Sequence, residues 1–225
     1  MNRDGQPFAP IARHFEVAEI FSSIQGESSL QGLPCSFVRF AGCGLRCDWC
    51  DTKYAFDGGE VLSARAILAR VASSGLPLVC LTGGEPLDQA ECGALAQAFL
   101  DEGFAVSVET GGFRDIGALP CRAKVIMDVK CPGSGMERRN RWQNLAKLLP
   151  GDELKFVVRD ETDYTYARTV LHDHPLPDDV AVLVSPVHGE LDPRDLIGWL
   201  IRDKLRARVN LQLHKYVWGP EATGV

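Results

Sequence analysis

The sequence predicts an α/β protein, a parallel β-sheet with helices packed outside it. Short apolar or β-branched runs take turns with longer segments of helical spacing. Several runs are too apolar to alternate inward and outward, as strands buried on both faces read. Polar, glycine-bearing motifs recur directly after the runs, where the strand ends of a parallel sheet face a site. Element by element, residues 36–40 form the first strand-like run, and 63–73 follow with helical spacing from a capping serine. Strand 78–81 precedes helix 89–102, strands 105–108 and 124–128 precede helix 136–149, and strand 154–158 precedes helix 161–172. Strand 181–185 leads to helix 193–206, started by Asp192-Pro193, and 209–213 closes the series as a last strand. No linker, repeat or low-complexity stretch interrupts the pattern, which predicts one domain over 1–225 with an irregular 1–15.

Composition narrows the function classes. The 225 residues are 45% hydrophobic and 24% charged, ordinary for a globular chain with a substantial core. Lys and Arg number 24 against 30 Asp and Glu, a net charge of −6. That balance argues against nonspecific binding to nucleic acid or a membrane surface, because phosphate contacts need a basic face. No apolar run approaches the roughly 20 residues of a membrane helix. The Met1-Asn2-Arg3-Asp4 start has no apolar leader segment. The expectation is a cytoplasmic protein with reduced thiols and a small-molecule substrate.

Cys43, Cys47 and Cys50 make a C-x3-C-x2-C cluster straight after residues 36–40. A cubane iron–sulfur cluster has four irons, so three thiolates leave one iron free to bind something else. A zinc site would want a fourth ligand close by, and His14 and Cys80 are distant in sequence. The other cysteines, Cys35, Cys80, Cys92, Cys121 and Cys131, are scattered singly and read as small buried hydrophobes. The cysteine spacing resembles the signature of the radical S-adenosylmethionine (SAM) superfamily. That resemblance implies SAM on the open iron of a 4Fe-4S cluster and reductive cleavage to a 5′-deoxyadenosyl radical.

The strand-end motifs extend the likeness. Residues 78–81 run into Thr82-Gly83-Gly84-Glu85-Pro86, residues 105–108 into Glu109-Thr110-Gly111-Gly112, and residues 124–128 into Val129-Lys130-Cys131-Pro132. Glycines at a strand end let backbone groups approach a ligand, though a tight strand-to-helix turn explains Gly-Gly-Glu-Pro equally well by itself. Placed after a three-cysteine loop, it resembles the motif that holds the methionyl amino group of SAM. Upstream stand Gln25-Gly26-Glu27 and Arg39, and near the end His214-Lys215-Tyr216-Val217-Trp218-Gly219-Pro220.

Together these residues resemble the 7-carboxy-7-deazaguanine synthase family over nearly the whole chain. The resemblance implies a truncated (partial) TIM-like βα barrel of the radical SAM type, with a parallel sheet and outer helices. It assigns Cys43, Cys47 and Cys50 to the 4Fe-4S cluster and Thr52 to Mg²⁺, which commonly keeps waters and borrows substrate oxygens. Trp49, Asp51, Gly84, Glu85, Glu109 and Lys130 would line the SAM pocket. Gln25, Gly26, Glu27, Arg39, Thr82, His214 and Pro220 would hold the pterin, with Glu27 toward its amidine-like edge and Arg39 toward a carboxylate. The stretch 209–225 would be a C-terminal strand and a tail closing the pocket. Competing structural explanations exist for single residues: an ion pair for Glu27 and Arg39, an N-cap for Thr52, a core side chain for Trp49 or His214. Two departures stand out. Asp128-Val129-Lys130 replaces the Ser-Pro-Lys of many relatives, and the chain runs past Pro220 through Glu221 to Val225, which leaves Pro220 main-chain or packing contacts only.

The implied reaction converts 6-carboxy-5,6,7,8-tetrahydropterin to 7-carboxy-7-deazaguanine with loss of ammonia and regeneration of SAM, in queuosine-type biosynthesis. An electron donor such as flavodoxin or ferredoxin and a homodimer come with the resemblance. Two alternatives are a glycyl-radical-enzyme activase of the same superfamily, which would have no reason for Gln25-Gly26-Glu27, Arg39 and Thr52 together, and a non-enzymatic iron–sulfur or zinc protein.

Overall fold

A computed structural model describes residues Met1–Val225. Nine strands form one sheet: β1 Phe15–Ile24, β2 Pro34–Phe40, β3 Glu60–Leu62, β4 Leu78–Gly83, β5 Ala105–Thr110, β6 Lys124–Val129, β7 Glu153–Val158, β8 Ala181–Pro186 and β9 Arg208–Val209, in the order β3-β1-β2-β4-β5-β6-β7-β8-β9. From β2 to β9 every neighbouring pair is parallel. The sheet does not close on itself, since β3 and β9 are its two edges, which gives the partial barrel.

Helices α1 Ala64–Ala72, α2 Cys92–Asp101, α3 Glu161–Asp173 and α4 Pro193–Asp203 cover its outer face. Their apolar stripes (Ile67 and Val71, Leu95 and Phe99, Tyr164 and Ala167, Leu196 and Leu200) join Val79, Leu81, Val106, Val108, Val125, Met127, Leu154 and Phe156 of the strands in one core. The starts are set by side-chain caps: Ser63 accepts from Ala66 N, Asp160 from Thr162 and Asp163 N, and Asp192, followed by Pro193, from Arg194 N.

Strand alternation then decides the site. With Leu81, Val108, Met127, Leu154 and Phe156 turned to the helices, the intervening Arg39, Thr82, Glu109, Asp128 and Lys155 turn to the inner face. Cross-strand register pairs Arg39 with Thr82 and Asp128 with Lys155.

The structure corrects several expectations. β1 and β3 form an antiparallel end of the sheet that the apolar-run reading misses, because β1 interleaves polar residues with its buried Phe15 and Val17. Residues 136–149 form no α-helix but two 3₁₀ segments, Glu137–Arg139 and Trp142–Lys147. The buried Asn144 amide is the physical reason, since it donates to Gly112 O and Arg114 O and accepts from Ile116 N, pinning this stretch to a neighbouring loop. The helix expected at 89–102 begins at Cys92, preceded by a 3₁₀ turn at Pro86–Asp88. Residues 209–213 are not a strand. β9 is two residues long, Asn210 bonds Ser185 through its side chain, and the chain turns into α5, Leu213–Val217. Cys121 is exposed, not buried, whereas Cys35, Cys80, Cys92 and Cys131 are buried.

Candidate active site

The C-terminal ends of the parallel strands open into a cavity of about 440 Å³, and every site residue proposed above lines it. The cluster loop enters from β2. Gly42 has φ +83°, Ala41 N bonds Glu16 O and Gly42 N bonds Ala55 O, which fixes both ends of the turn. Cys43, Cys47 and Cys50 are free and partly exposed along one wall. No three His, Cys, Asp or Glu side chains converge on a point that one ion could fill. A cubane takes one thiolate per iron at separate corners, and three cysteines of one loop on one cavity wall are the donor set for three of them. Leu45 N donates to Cys43 Sγ at 3.4 Å, the kind of N–H···S contact that tunes cluster thiolates. Burial pushes the Cys43 and Cys47 thiols up, and the Lys130 ammonium offsets part of that.

Gly83 and Gly84 serve the loop. A Cβ on Gly84 would lie 1.8 Å from Gly42 O, and Gly84 N and Glu85 N donate to Phe40 O and Gly42 O at 2.9 and 2.8 Å. The backbone that needs glycine here is the cluster loop itself. Glu85, which the resemblance assigns to SAM, is held by protein donors. Its carboxylate is fully buried and accepts from Thr110 Oγ1, Gly111 N and Leu87 N at 2.7, 2.8 and 3.0 Å. It therefore braces two strand-end turns against each other, and burial raises its pKa.

A row of charges crosses the cavity floor. Lys130 Nζ lies 2.7 Å from Asp128, Lys155 Nζ lies 3.6 Å from Asp128, and Lys155 also donates to Glu27. Burial alone would raise the Asp128 pKa, but Lys130 and Lys155 outweigh it and hold the carboxyl below its ordinary value. Both lysines are raised for the reciprocal reason, burial notwithstanding. Glu27 also accepts from Gln212 Nε2 at 2.8 Å. Glu109 takes Thr82 Oγ1–H at 2.8 Å and Gln25 Nε2 at 3.0 Å, and burial followed by the Glu27 charge raises its pKa. Thr82 and Gln25 thus spend donors on Glu109, so all three act as one unit between β4, β5 and the Gln25 turn.

Elsewhere the assigned residues sit as follows. Arg39 is an ion pair, as the competing explanation has it, but on the cavity wall: its Nε lies 2.7 Å from Glu19 Oε1, which also accepts from Tyr54 OH at 2.7 Å. Thr52 occupies the N-cap position of Lys53–Ala55 yet makes no capping bond, and its hydroxyl stands 3.6 Å from Cys50 Sγ. Trp49 is not in the core. It lines the cavity with the Arg159 guanidinium 4.9 Å from its ring centroid. Asp51 is held by Lys215 Nζ at 2.9 Å, which latches the cluster loop to α5 on the cavity wall. His214 packs on Gly26 so closely that a Cβ there would sit 2.0 Å from its Nδ1. Leu213 N bonds Gly26 O at 2.8 Å, and burial lowers the His214 pKa. Pro220 lines the cavity together with Ala222, Thr223, Gly224 and Val225.

Lys155, Glu19, Tyr54 and Gln212 escaped the sequence reading. Lys155 had a signal, a lysine inside an apolar run, where only an inward-facing polar site accommodates a charge. The other three had none, because their partners are distant in sequence.

Comparison with known proteins follows the same lines. The Radical SAM superfamily model matches residues 37–128. The 7-carboxy-7-deazaguanine synthase of Chlorobaculum tepidum is 42% identical, over 93% of this chain and 96% of that protein. The enzyme of the same name from Koribacter versatilis is 41% identical, over 93% of this chain and all of that protein. That of Methanospirillum hungatei is 37% identical, over 91% and 86% respectively. The crystal structure of QueE from Escherichia coli superposes with a TM-score of 0.72 at 23% identity, covering 89% of this chain and 95% of that one, a likeness of fold.

Proposed function

The chain belongs to the 7-carboxy-7-deazaguanine synthase family of the radical SAM superfamily, and from that premise we propose that it converts 6-carboxy-5,6,7,8-tetrahydropterin to 7-carboxy-7-deazaguanine with loss of ammonia. It is a radical SAM lyase, and the activase and non-enzymatic readings fall away with that membership. The observation that carries the substrate assignment is the meeting, in one cavity, of three cysteines with the Glu27, Lys155, Asp128 and Lys130 charge row.

When bound, the 4Fe-4S cluster and SAM supply a carbon-centred radical able to take a hydrogen atom from the substrate. Cys43, Cys47 and Cys50 would hold the cluster. Trp49, within the cluster loop between Cys47 and Cys50, would offer an aromatic face to the adenine. Glu27 offers a carboxylate to the amidine-like N–H edge of a pterin, and Lys155 keeps it oriented and charged. Arg39, anchored by Glu19, has guanidinium N–H groups left for the substrate carboxylate. The Thr52 hydroxyl, which makes no capping bond, suits Mg²⁺, with substrate oxygens and water completing the shell. His214, Pro220 and the residues after it close the cavity against water, so positioning rather than acid–base work is this protein's share. A flavodoxin- or ferredoxin-type donor, a homodimer and a cytoplasmic setting complete the reading. No helix is long and apolar enough to cross a membrane.

Anaerobic reconstitution with iron and sulfide, then reduction with SAM, Mg²⁺ and the carboxypterin, tests it. The expected outcome is the deazaguanine chromophore without net SAM loss. Stoichiometric 5′-deoxyadenosine with no pterin turnover would overturn it. Thr52→Ala is expected to lower activity at limiting Mg²⁺ and shift the Mg²⁺ titration to higher concentration; an unchanged titration removes Thr52 from the metal site.

A further inference from the structure

We propose that the arginine rim around the tip of the cluster loop, formed by Arg46, Arg114, Arg138 and Arg139, is the docking surface for an acidic one-electron carrier protein. The inference rests on the radical SAM reading, which requires an electron from outside the chain. Gly44, next to Cys43, is exposed at the tip of the loop, so this face brings a partner nearest to the cluster position.

The rim is built from three segments. Gly44 packs against the Phe113 ring, with 3.0 Å between the ring and a Cβ placed on it. The guanidinium groups of Arg114 and Arg139 lie 5.1 and 5.4 Å from the same ring centroid. Arg139 Nη1 reaches Gly44 O at 3.5 Å, and Arg46 N lies 3.5 Å from Met136 Sδ, just before Glu137–Arg139. Arg46 itself stacks 4.3 Å over Phe56 on the other side of the loop.

Charge pairing sets the rim apart. On α3, α4 and their flanks, Arg168, Arg194, Arg202 and Arg206 are each paired with aspartate or glutamate at 2.5 to 3.2 Å. At the rim Arg46 and Arg139 are exposed and have no acidic partner, and Arg138, with a side chain 95% exposed, meets Glu137 only at 3.8 Å. Arg114 alone is tightly paired, to Asp88 at 2.5 Å. The remaining unpaired arginines, Arg13, Arg65, Arg122 and Arg208, sit on four different segments. In a chain of net charge −6, Arg46 and Arg139, with the weakly paired Arg138, thus place guanidinium groups without a close acidic partner where the cluster loop meets solvent. That arrangement attracts an acidic partner and orients it, while the overall charge repels it from other faces. In the docked pair one electron passes from the reduced carrier to the cluster; no bond forms or breaks and no proton moves.

The test measures binding of an acidic ferredoxin to the reconstituted protein and to the Arg138→Glu/Arg139→Glu variant, neither residue being part of the cavity. Two charge reversals are expected to weaken the Kd by about tenfold or more, and Arg138→Gln/Arg139→Gln by less. Raising salt from about 50 to 300 mM is expected to weaken parental binding and to leave the reversed variant nearly unchanged. Dithionite, which needs no docking, is expected to drive both proteins equally. Equal ferredoxin affinity in parent and variant overturns the proposal, as does an equal loss in Arg65→Glu on α1, or retention of RNA without carrier binding. If dithionite yields no deazaguanine from the parent, the family reaction fails by itself, while the ferredoxin affinities still decide the rim.

Discussion

At the scale of single residues, Lys155 is the side chain on which most of the cavity's electrostatics turns. It stands between Glu27 and Asp128, and Glu109 adds to its raised pKa. Lys155→Met leaves two carboxylates without their shared cation, and KM for the carboxypterin is expected to rise about tenfold, as the loss of ~1.5 kcal/mol of charge-assisted hydrogen bonding would give. kcat is expected to change less, and Lys155→Arg to recover part of the loss. The variant should also alter acid stability. The Asp128 pKa is held below its ordinary 3.8, so this group contributes stability that is present above that value and is lost as pH falls through the folded value. Without Lys155 the depression shrinks. The gap in unfolding free energy between parent and variant is therefore expected to be widest above about pH 4 and to narrow below it, as acid unfolding followed by circular dichroism would record.

At the scale of elements, the cluster loop owes its shape to β4 as much as to its own sequence. Gly84→Ala drives a methyl into Gly42 O, a backbone atom that cannot rotate away, so the loop carrying Cys43 must move. Reconstituted iron and the sulfide-to-iron charge-transfer absorbance are expected to fall well below the parent's. An unchanged iron content would show that the loop tolerates displacement. This coupling also explains an incomplete reading of the sequence. The Gly-Gly-Glu-Pro turn was legible as a site marker, but its glycines and Glu85 chiefly hold protein to protein. The same holds for α5, where Gly26 is small because His214 lies on it, a contact between residues far apart in the chain.

For the whole molecule, the N-terminal arm closes the fold at the strand N-terminal end, away from the cavity. Arg3 is buried against Asp152 and donates to Lys147 O and Ala123 O at 3.1 and 2.9 Å. Arg3→Ala strands the Asp152 carboxylate and is expected to cost about 3 kcal/mol. At this chain length that lowers the midpoint of thermal unfolding by roughly 6–12 °C, read by calorimetry on the iron-free chain. The sequence by itself determined the parallel βα architecture, because strands buried on both faces must be apolar throughout, and it determined the cluster loop and the strand-end motifs, because their residues are neighbours in the chain. Only the tertiary structure decided which polar groups answer one another. Lys155 with Glu27, Arg39 with Glu19, Asp51 with Lys215, and the arginine rim about Gly44 all join residues from separate elements. Strand register and loop packing set those distances, and no local pattern encodes them.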